Sequence, residues 1–179
     1  MKTNGTLSRG LMGCLLAFWG CASVQAPLVE FDPASGQTMY QSPKVLVGNI
    51  NMTGGLASGH RVMMRAFASC TGQDCKPNQV EIAFYNDSST DLNLDYRRVE
   101  ITFGSKKLEW EDVGRLHESM KTEVPRGEFT RVPISRADFT GIASAQDVQI
   151  IFGLTGTTTL RVPLDRRAGF RELAEALSL

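Results

Sequence analysis

Four cysteines, two histidines and 19 acidic residues hold most of the reactive potential of this 179-residue chain. Cys70 and Cys75 enclose Thr71-Gly-Gln-Asp74, a turn-forming stretch that follows a strand-like run. Two thiols around so tight a loop suit a local disulfide in an oxidising compartment. A redox-active pair would more often be spaced C-x-x-C at a helix start. A metal site would need two more ligands, and neither His60 nor His117 has the spacing of a zinc motif. No metal or cofactor is therefore expected. The glycine-rich stretch Gly54–Gly59 before His60 can offer backbone N–H groups to an anion, but it lacks the Gly-Lys-Ser/Thr ending of a phosphate loop. Glu109 and Glu111 would share one face of a strand, and a solvated face with Leu108 and Trp110 turned inward accounts for them. Asp87, Asp91 and Asp95 do not have the alternating oxygen spacing of a calcium hand. There is no G-x-S-x-G elbow. No catalytic residue is assigned, which leaves His60, His117 and Tyr85 as candidate ligand contacts. Phe67 and Tyr85 are also candidates to line a groove or a partner surface.

The two other cysteines lie in a different kind of sequence. Residues 1–10 carry Lys2 and Arg9 and no acid, and an apolar run from Leu11 to Gly20 follows. Ten residues are too few to cross a hydrocarbon core, which takes about 20 in a helix. A positive start, a short apolar middle and small residues at the exit are the parts of a secretory signal. The exit, Ala17-Phe-Trp-Gly-Cys21, resembles the lipobox of bacterial lipoproteins, in which the cysteine at the cleavage point is acylated. Gly20 and Cys21 match that pattern, whereas Phe18 and Trp19 depart from it. Cleavage by ordinary signal peptidase after Ala22 is the alternative. The resemblance implies a signal peptide over 1–20 and lipid attachment at Cys21. Because Ala22 and not aspartate follows, it further implies an outer-membrane location facing the periplasm, with the membrane a partner through the acyl chains.

Composition narrows the remaining classes. With 19 basic and 19 acidic residues, the chain lacks the basic excess of a nucleic-acid binder. Removing residues 1–20 leaves 17 basic and 19 acidic, a slightly acidic remainder. Residues 21–44 are punctuated by Pro27, Pro33 and Pro43 and show no sustained period, which reads as a tether. Leu28–Phe31 is a possible short strand within it, and an ordered arm lying on the domain is the alternative.

From residue 45 onward, alternation dominates. Val80, Ile82 and Phe84 fall on one face, as do Val99, Ile101 and Phe103, then Val148, Ile150, Phe152 and Leu154, then Leu160 and Val162. Such one-sided strands belong to antiparallel sheets. Further strands are expected over 45–52, 60–68, 107–111 and 129–134. Trp110, Phe67, Tyr85 and Tyr96 fall off the main core in this pattern. Ser135 with Asp138 has capping-box spacing for a short helix that turns Phe139 and Ile142 inward. A C-terminal helix capped by Asp165 would bury Phe170, Leu173, Ala174 and Leu177, with Arg166, Arg167, Arg171, Glu172 and Glu175 outward.

The expected architecture is one mainly β domain over 45–179, an antiparallel β-sandwich or curled sheet with two short helices near the C-terminus. Its helix, hairpin, helix ending resembles domains of uncharacterised exported bacterial proteins, a likeness that implies no activity. The function expected is that of an exported, lipid-anchored, non-enzymatic binding or scaffold module for an envelope protein or ligand. It requires an exposed apolar patch outside the tether. The alternative, a periplasmic hydrolase or small-ligand carrier, requires the Gly54–His60 loop and His117 to converge on one pocket.

Overall fold

The computed structural model describes residues 26–50, 60–87, 92–111, 123–124, 127–153 and 158–178. Its strands are β1 (Leu28–Asp32), β2 (Gln37–Gln41), β3 (Val45–Ile50), β4 (His60–Thr71), β5 (Gln79–Asn86), β6 (Leu92–Asn93), β7 (Arg98–Phe103), β8 (Lys106–Glu111), β9 (Glu123–Val124), β10 (Gly127–Ser135), β11 (Asp147–Phe152) and β12 (Thr158–Pro163). Helix α1 (Arg136–Ser144) lies between β10 and β11, and a 3-10 turn (Leu164–Arg167) leads from β12 into α2 (Ala168–Ser178). The fold is mainly β, as the alternation predicts.

Two antiparallel sheets share one core. The first runs β1-β2-β4-β5-β10, with β3 also paired to β4, and the second runs β12-β11-β7-β8. Alternation turns Val62, Met64, Ala66 and Ala68 of β4, and Val80, Ile82 and Phe84 of β5, into the core. Val99, Ile101, Val148, Ile150 and Phe152 meet them from the second sheet. Phe84 and Phe152 cross edge-to-face at 5.2 Å between centroids, so aromatic packing joins the two layers.

The first sheet is organised around β4, the longest strand. One edge of β4 carries β2 opposite residues 67–71 and then β3 opposite residues 60–64. Between them sits Pro43, which has no N–H to give a ladder. Ser42 closes the gap: its amide donates to the Ala66 carbonyl and its hydroxyl accepts from the Ala66 amide. The chain thus follows β4 across the proline without leaving a buried amide unpaired.

This pairing brings part of the proline-punctuated stretch into the first sheet. β1 and β2 form a hairpin in register from Leu28↔Gln41 to Asp32↔Gln37, and β2 is hydrogen-bonded into the sheet. The folded domain therefore begins by Leu28, and much of the proline-punctuated stretch is an ordered arm. The hairpin turn is closed by Asp32, whose side chain accepts from the Ala34 amide and the Ser35 hydroxyl.

The helices close off part of the sandwich. Ser135 caps α1 by accepting from the Asp138 amide at 3.1 Å, as the capping-box spacing predicts. Phe139 of α1 packs on Phe170 of α2, with centroids 5.3 Å apart. Both helices approach the β layers through glycine. A Cβ on Gly169 would lie 2.2 Å from Pro43 Cγ, and one on Gly141 would lie 2.6 Å from the Phe103 ring.

Arg167 departs from the expectation that it faces solvent. It is fully buried. The 3-10 turn at 164–167 shifts the helical register, so Arg167 precedes α2 instead of riding on its outer face. Its Nε donates to the Val162 carbonyl at 3.0 Å, and its two terminal nitrogens donate to the carbonyls of Ile142 and Ala145. A guanidinium suits this position because its planar fork can serve several carbonyls at once, and a cation there opposes the negative C-terminal end of α1. Burial pulls its proton affinity down, and the Asp147 charge partly opposes that. Asp165 does not cap α2: Pro163 precedes the 3-10 turn, and no side-chain cap is made there. Tyr96 is likewise in the core, edge-to-face with Phe129. It lies in the connection before β7, where strand alternation does not govern direction.

Arg167→Ala would leave three carbonyls without their donor inside the fold. It is expected to lower unfolding stability by about 3 kcal/mol or more. Arg167→Lys, which keeps the charge but not the fork, should fall between. Urea titration of both variants checks this, and a loss under about 1 kcal/mol for Arg167→Ala would contradict the assigned role.

Candidate interaction surface

The outer face of the first sheet carries the residues that sequence analysis left unplaced. β4 alternation that buries Val62 to Ala68 turns Phe67 and Ser69 outward, and on β5 it does the same for Glu81 and Tyr85. Register sets Phe67 opposite Glu81, and Tyr85 opposite Glu128 of β10. Arg131 of β10 stands opposite the small Ala83 and leans across it, placing its Cζ 4.8 Å from the centre of the Phe67 ring. This cation–π contact spans three strands.

The charges on this face satisfy one another. Arg131 Nε lies 2.8 Å from Glu128, and one of its terminal nitrogens lies 2.8 Å from Glu81. Hydrogen bonding to Glu128 and then Glu81 holds its proton more tightly than usual, against the opposing effect of burial. The Tyr85 hydroxyl donates to Glu128 at 3.0 Å. Burial first, and the adjacent Glu128 carboxylate second, push the Tyr85 phenol up to about 12. Lys44 Nζ sits 4.7 Å from the Tyr85 ring centre. Tyr85 is thus held in a polar cluster with its hydroxyl in use.

Beside this cluster is a groove of about 260 Å³ lined by Met39, Phe67, Ser69, Gln79, Glu81 and Arg131. Met39 and Phe67 supply its apolar part, Ser69, Gln79 and Glu81 its polar part, and its cation is already engaged by two carboxylates. The chemistry therefore suits an amphipathic group better than a free anion.

The outer face of the second sheet is built differently. Glu100 and Glu109 stand directly opposite each other on β7 and β8, a repulsive arrangement by itself. Lys107 lies 2.7 Å from Glu100 and 3.4 Å from Glu109, and Arg98 lies 2.8 Å from Glu109. The Arg98 guanidinium beside it is the main cause that holds the Glu109 carboxyl below its ordinary range. Leu108 and Trp110 pack toward the core, as expected from the strand pattern. Glu109 and Glu111 are both exposed on β8, as alternation predicts, and the cross-strand register adds Glu100 directly opposite Glu109.

Cys70 and Cys75 are disulfide-bonded, with Cα atoms 5.8 Å apart. The loop that they close receives the arm. Thr38 donates its hydroxyl to the Gly72 carbonyl at 2.5 Å, Tyr40 donates to the Cys75 carbonyl at 2.8 Å, and the Gly72 amide donates to the Gly36 carbonyl at 2.8 Å.

No family model, curated protein or solved structure matches this chain. The arrangement is therefore read from its own residues.

Cys21, His117 and the Gly54–Gly59 loop lie outside the described residues. His60 begins β4 opposite Ile50, and this backbone register is all that is described of it. Among the described residues, no group of three or more histidine, cysteine or acidic side chains is placed to hold a metal ion. Sequence reasoning missed Arg131, since only the register across β5 reveals its partner ring, and no sequence interval signals it. It also looked for exposed apolar side chains outside the tether. Among the described residues the large ones are Leu28, Val29, Phe31 and Met39, all within it.

Two outcomes are expected. Tyr85 gains stability from a phenol that stays neutral: this contribution is complete below the ordinary value near 10 and is lost as pH rises through about 12. The difference in tyrosinate absorbance between wild type and Tyr85→Phe, read in rapid pH jumps before unfolding, should have its midpoint near 12. Glu128→Gln should bring it down, and a wild-type midpoint near 10 would contradict the cluster. Replacing Cys70 and Cys75 together by serine should lower stability by about 2 kcal/mol, the size expected for closing a short loop. Denaturant unfolding of the double variant measures it.

Proposed function

We propose that this is an exported envelope protein, lipid-anchored at Cys21 in the outer membrane and facing the periplasm, that serves as a non-enzymatic binding or scaffold module. The observation that carries the reading is the bonded pair Cys70–Cys75 in a chain that opens with a signal-like segment ending at Gly20-Cys21. Structural disulfides belong to oxidising compartments, so the pair and the segment support the same destination by independent chemistry.

The role as a module is supported by how the perturbed side chains are used. Arg131 is shifted by hydrogen bonds to Glu128 of its own strand and then to Glu81 of β5, Tyr85 by burial and then by Glu128 of β10, and Glu109 by partners across β7 and β8. Asp138 is held below its ordinary range by Lys106 and then by the capping Ser135. Arg167 binds backbone carbonyls. Each of these groups has a structural partner in the fold, and structural ion-pair networks perturb proton affinity without any chemistry. The groove beside Phe67, a residue outside the hairpin, is the surface on which such a module would act.

The anchor is tested by fractionation. Cys21→Ser is expected to move the protein from the membrane pellet to the soluble periplasmic fraction, because acyl chains supply about 0.8 kcal/mol for each buried methylene. Unchanged fractionation of Cys21→Ser would contradict lipidation at that residue.

A further inference from the structure

Among the described residues, the four exposed large apolar side chains sit at 52% (Leu28), 47% (Val29), 36% (Phe31) and 51% (Met39) of full exposure, on one hairpin at a sheet edge. Register divides them between the two faces of that edge. Val29 and Phe31 stand opposite Tyr40 and Thr38, which are buried, so they share the inner side. Leu28 and Met39 lie on the outer side, with Met39 opposite Glu30. The edge is poorly suited to receive another strand. It is five residues long, Pro27 and Pro33 bound it, and Glu30 at its centre has no ion-pair partner among the described residues. An antiparallel copy centred on Glu30 would set two carboxylates opposite each other. Short length, flanking prolines and a central charge are the means by which edges avoid pairing. The apolar side chains on both flanks remain to be accounted for.

Chain length supplies the occupant. Only residues 22–27 separate Cys21 from β1. Even fully extended, the seven steps from Cys21 to Leu28 span at most about 25 Å. With Cys21 acylated, the hairpin is the part of the described fold tied closest to the bilayer. A fluid interface can wrap both flanks of a narrow edge, which a rigid protein face does less readily. It also leaves Glu30 free to reach water at headgroup level. We propose that the β1–β2 hairpin seats the domain on the lipid surface, with Leu28, Val29, Phe31 and Met39 inserted at the interface. This rests on the lipid-anchor reading, since the anchor brings the hairpin to the membrane. The contact is apolar, so it needs no anionic lipid and resists salt.

The test uses the processed full-length protein in phosphatidylethanolamine–phosphatidylglycerol vesicles containing brominated phosphatidylcholine. Trp110 is replaced by phenylalanine, and Phe31→Trp reports from the hairpin. Thr159→Trp, exposed on the far face of the second sheet, is the control. Mass spectrometry establishes whether Cys21 carries diacylglycerol. The expected result is loss of most F31W emission with little loss for T159W, unchanged when phosphatidylglycerol is omitted or salt is raised. Acylated, vesicle-bound protein with F31W unquenched would overturn the proposal while leaving the anchor intact. Protection of residues 28–32 from hydrogen exchange by envelope protein and not by lipid would overturn it in favour of a strand-pairing partner. If the mass shows no acyl group, the anchor reading fails. Cosedimentation of the unacylated protein, and its loss on replacing the four apolar residues by serine, then decides the hairpin by itself.

Discussion

The position of the N-terminal arm depends on a loop six residues long. Its carbonyls at Gly72 and Cys75 accept the hydroxyls of Thr38 and Tyr40, and the Gly72 amide returns a bond to Gly36. Alternate residues of β2 thus reach inward to a loop whose ends are covalently joined at Cys70 and Cys75. Loop backbone is costly to hold in one conformation, at about 1–2 kcal/mol per residue, and the bridge removes much of that freedom in advance. The bridge thus restricts the loop that presents the acceptors to the arm. What would otherwise be a leash of more than 20 residues becomes a hairpin continuous with β4, and the connection to Cys21 shrinks to six. Disulfide state and strand pairing are linked through this one contact.

The other end of the chain is held by cations applied to helix carbonyls. Neither helix has a basic residue in its last turn. Arg167, arriving from the turn after β12, supplies the donors for α1. Arg136 reaches the Leu177 carbonyl at 3.3 Å and Lys76 the Ala176 carbonyl at 3.4 Å, serving α2 from two other parts of the fold. Exposed contacts of this kind contribute tenths of a kcal/mol to about 1 kcal/mol each. Arg167 differs because burial removes water as a substitute partner. Lys76 lies one residue beyond the Cys75 that anchors the arm, so the loop touches both terminal segments of the domain.

Much of the sandwich was legible because its strands are one-sided. The sets Val80/Ile82/Phe84, Val99/Ile101/Phe103 and Val148/Ile150/Phe152 all enter the core, and Ser135 caps α1 at the predicted spacing. Three features were hidden for distinct reasons. β1 was legible as a possible strand at Leu28–Phe31, but it is exposed along its length, so its place in the sheet, decided by β2 and the disulfide loop, was not. Arg167 looks like one more surface charge of an amphipathic helix until the 3-10 turn shifts its direction. The Phe67–Arg131 contact joins residues more than 60 positions apart through the register of an intervening strand, which no local pattern encodes. Tyr85 was legible as an outward aromatic, whereas the Glu128 that occupies its hydroxyl was not.

Hydrogen exchange of the full-length protein, oxidised and then reduced, tests most directly whether the disulfide loop holds the arm in the fold. In the oxidised protein, the amides of β2 that pair with β4 should be protected, and on reduction they should exchange much faster while β5 and β7 stay protected. Free exchange of Gln37–Gln41 in the oxidised protein, or protection indifferent to reduction, would contradict the account.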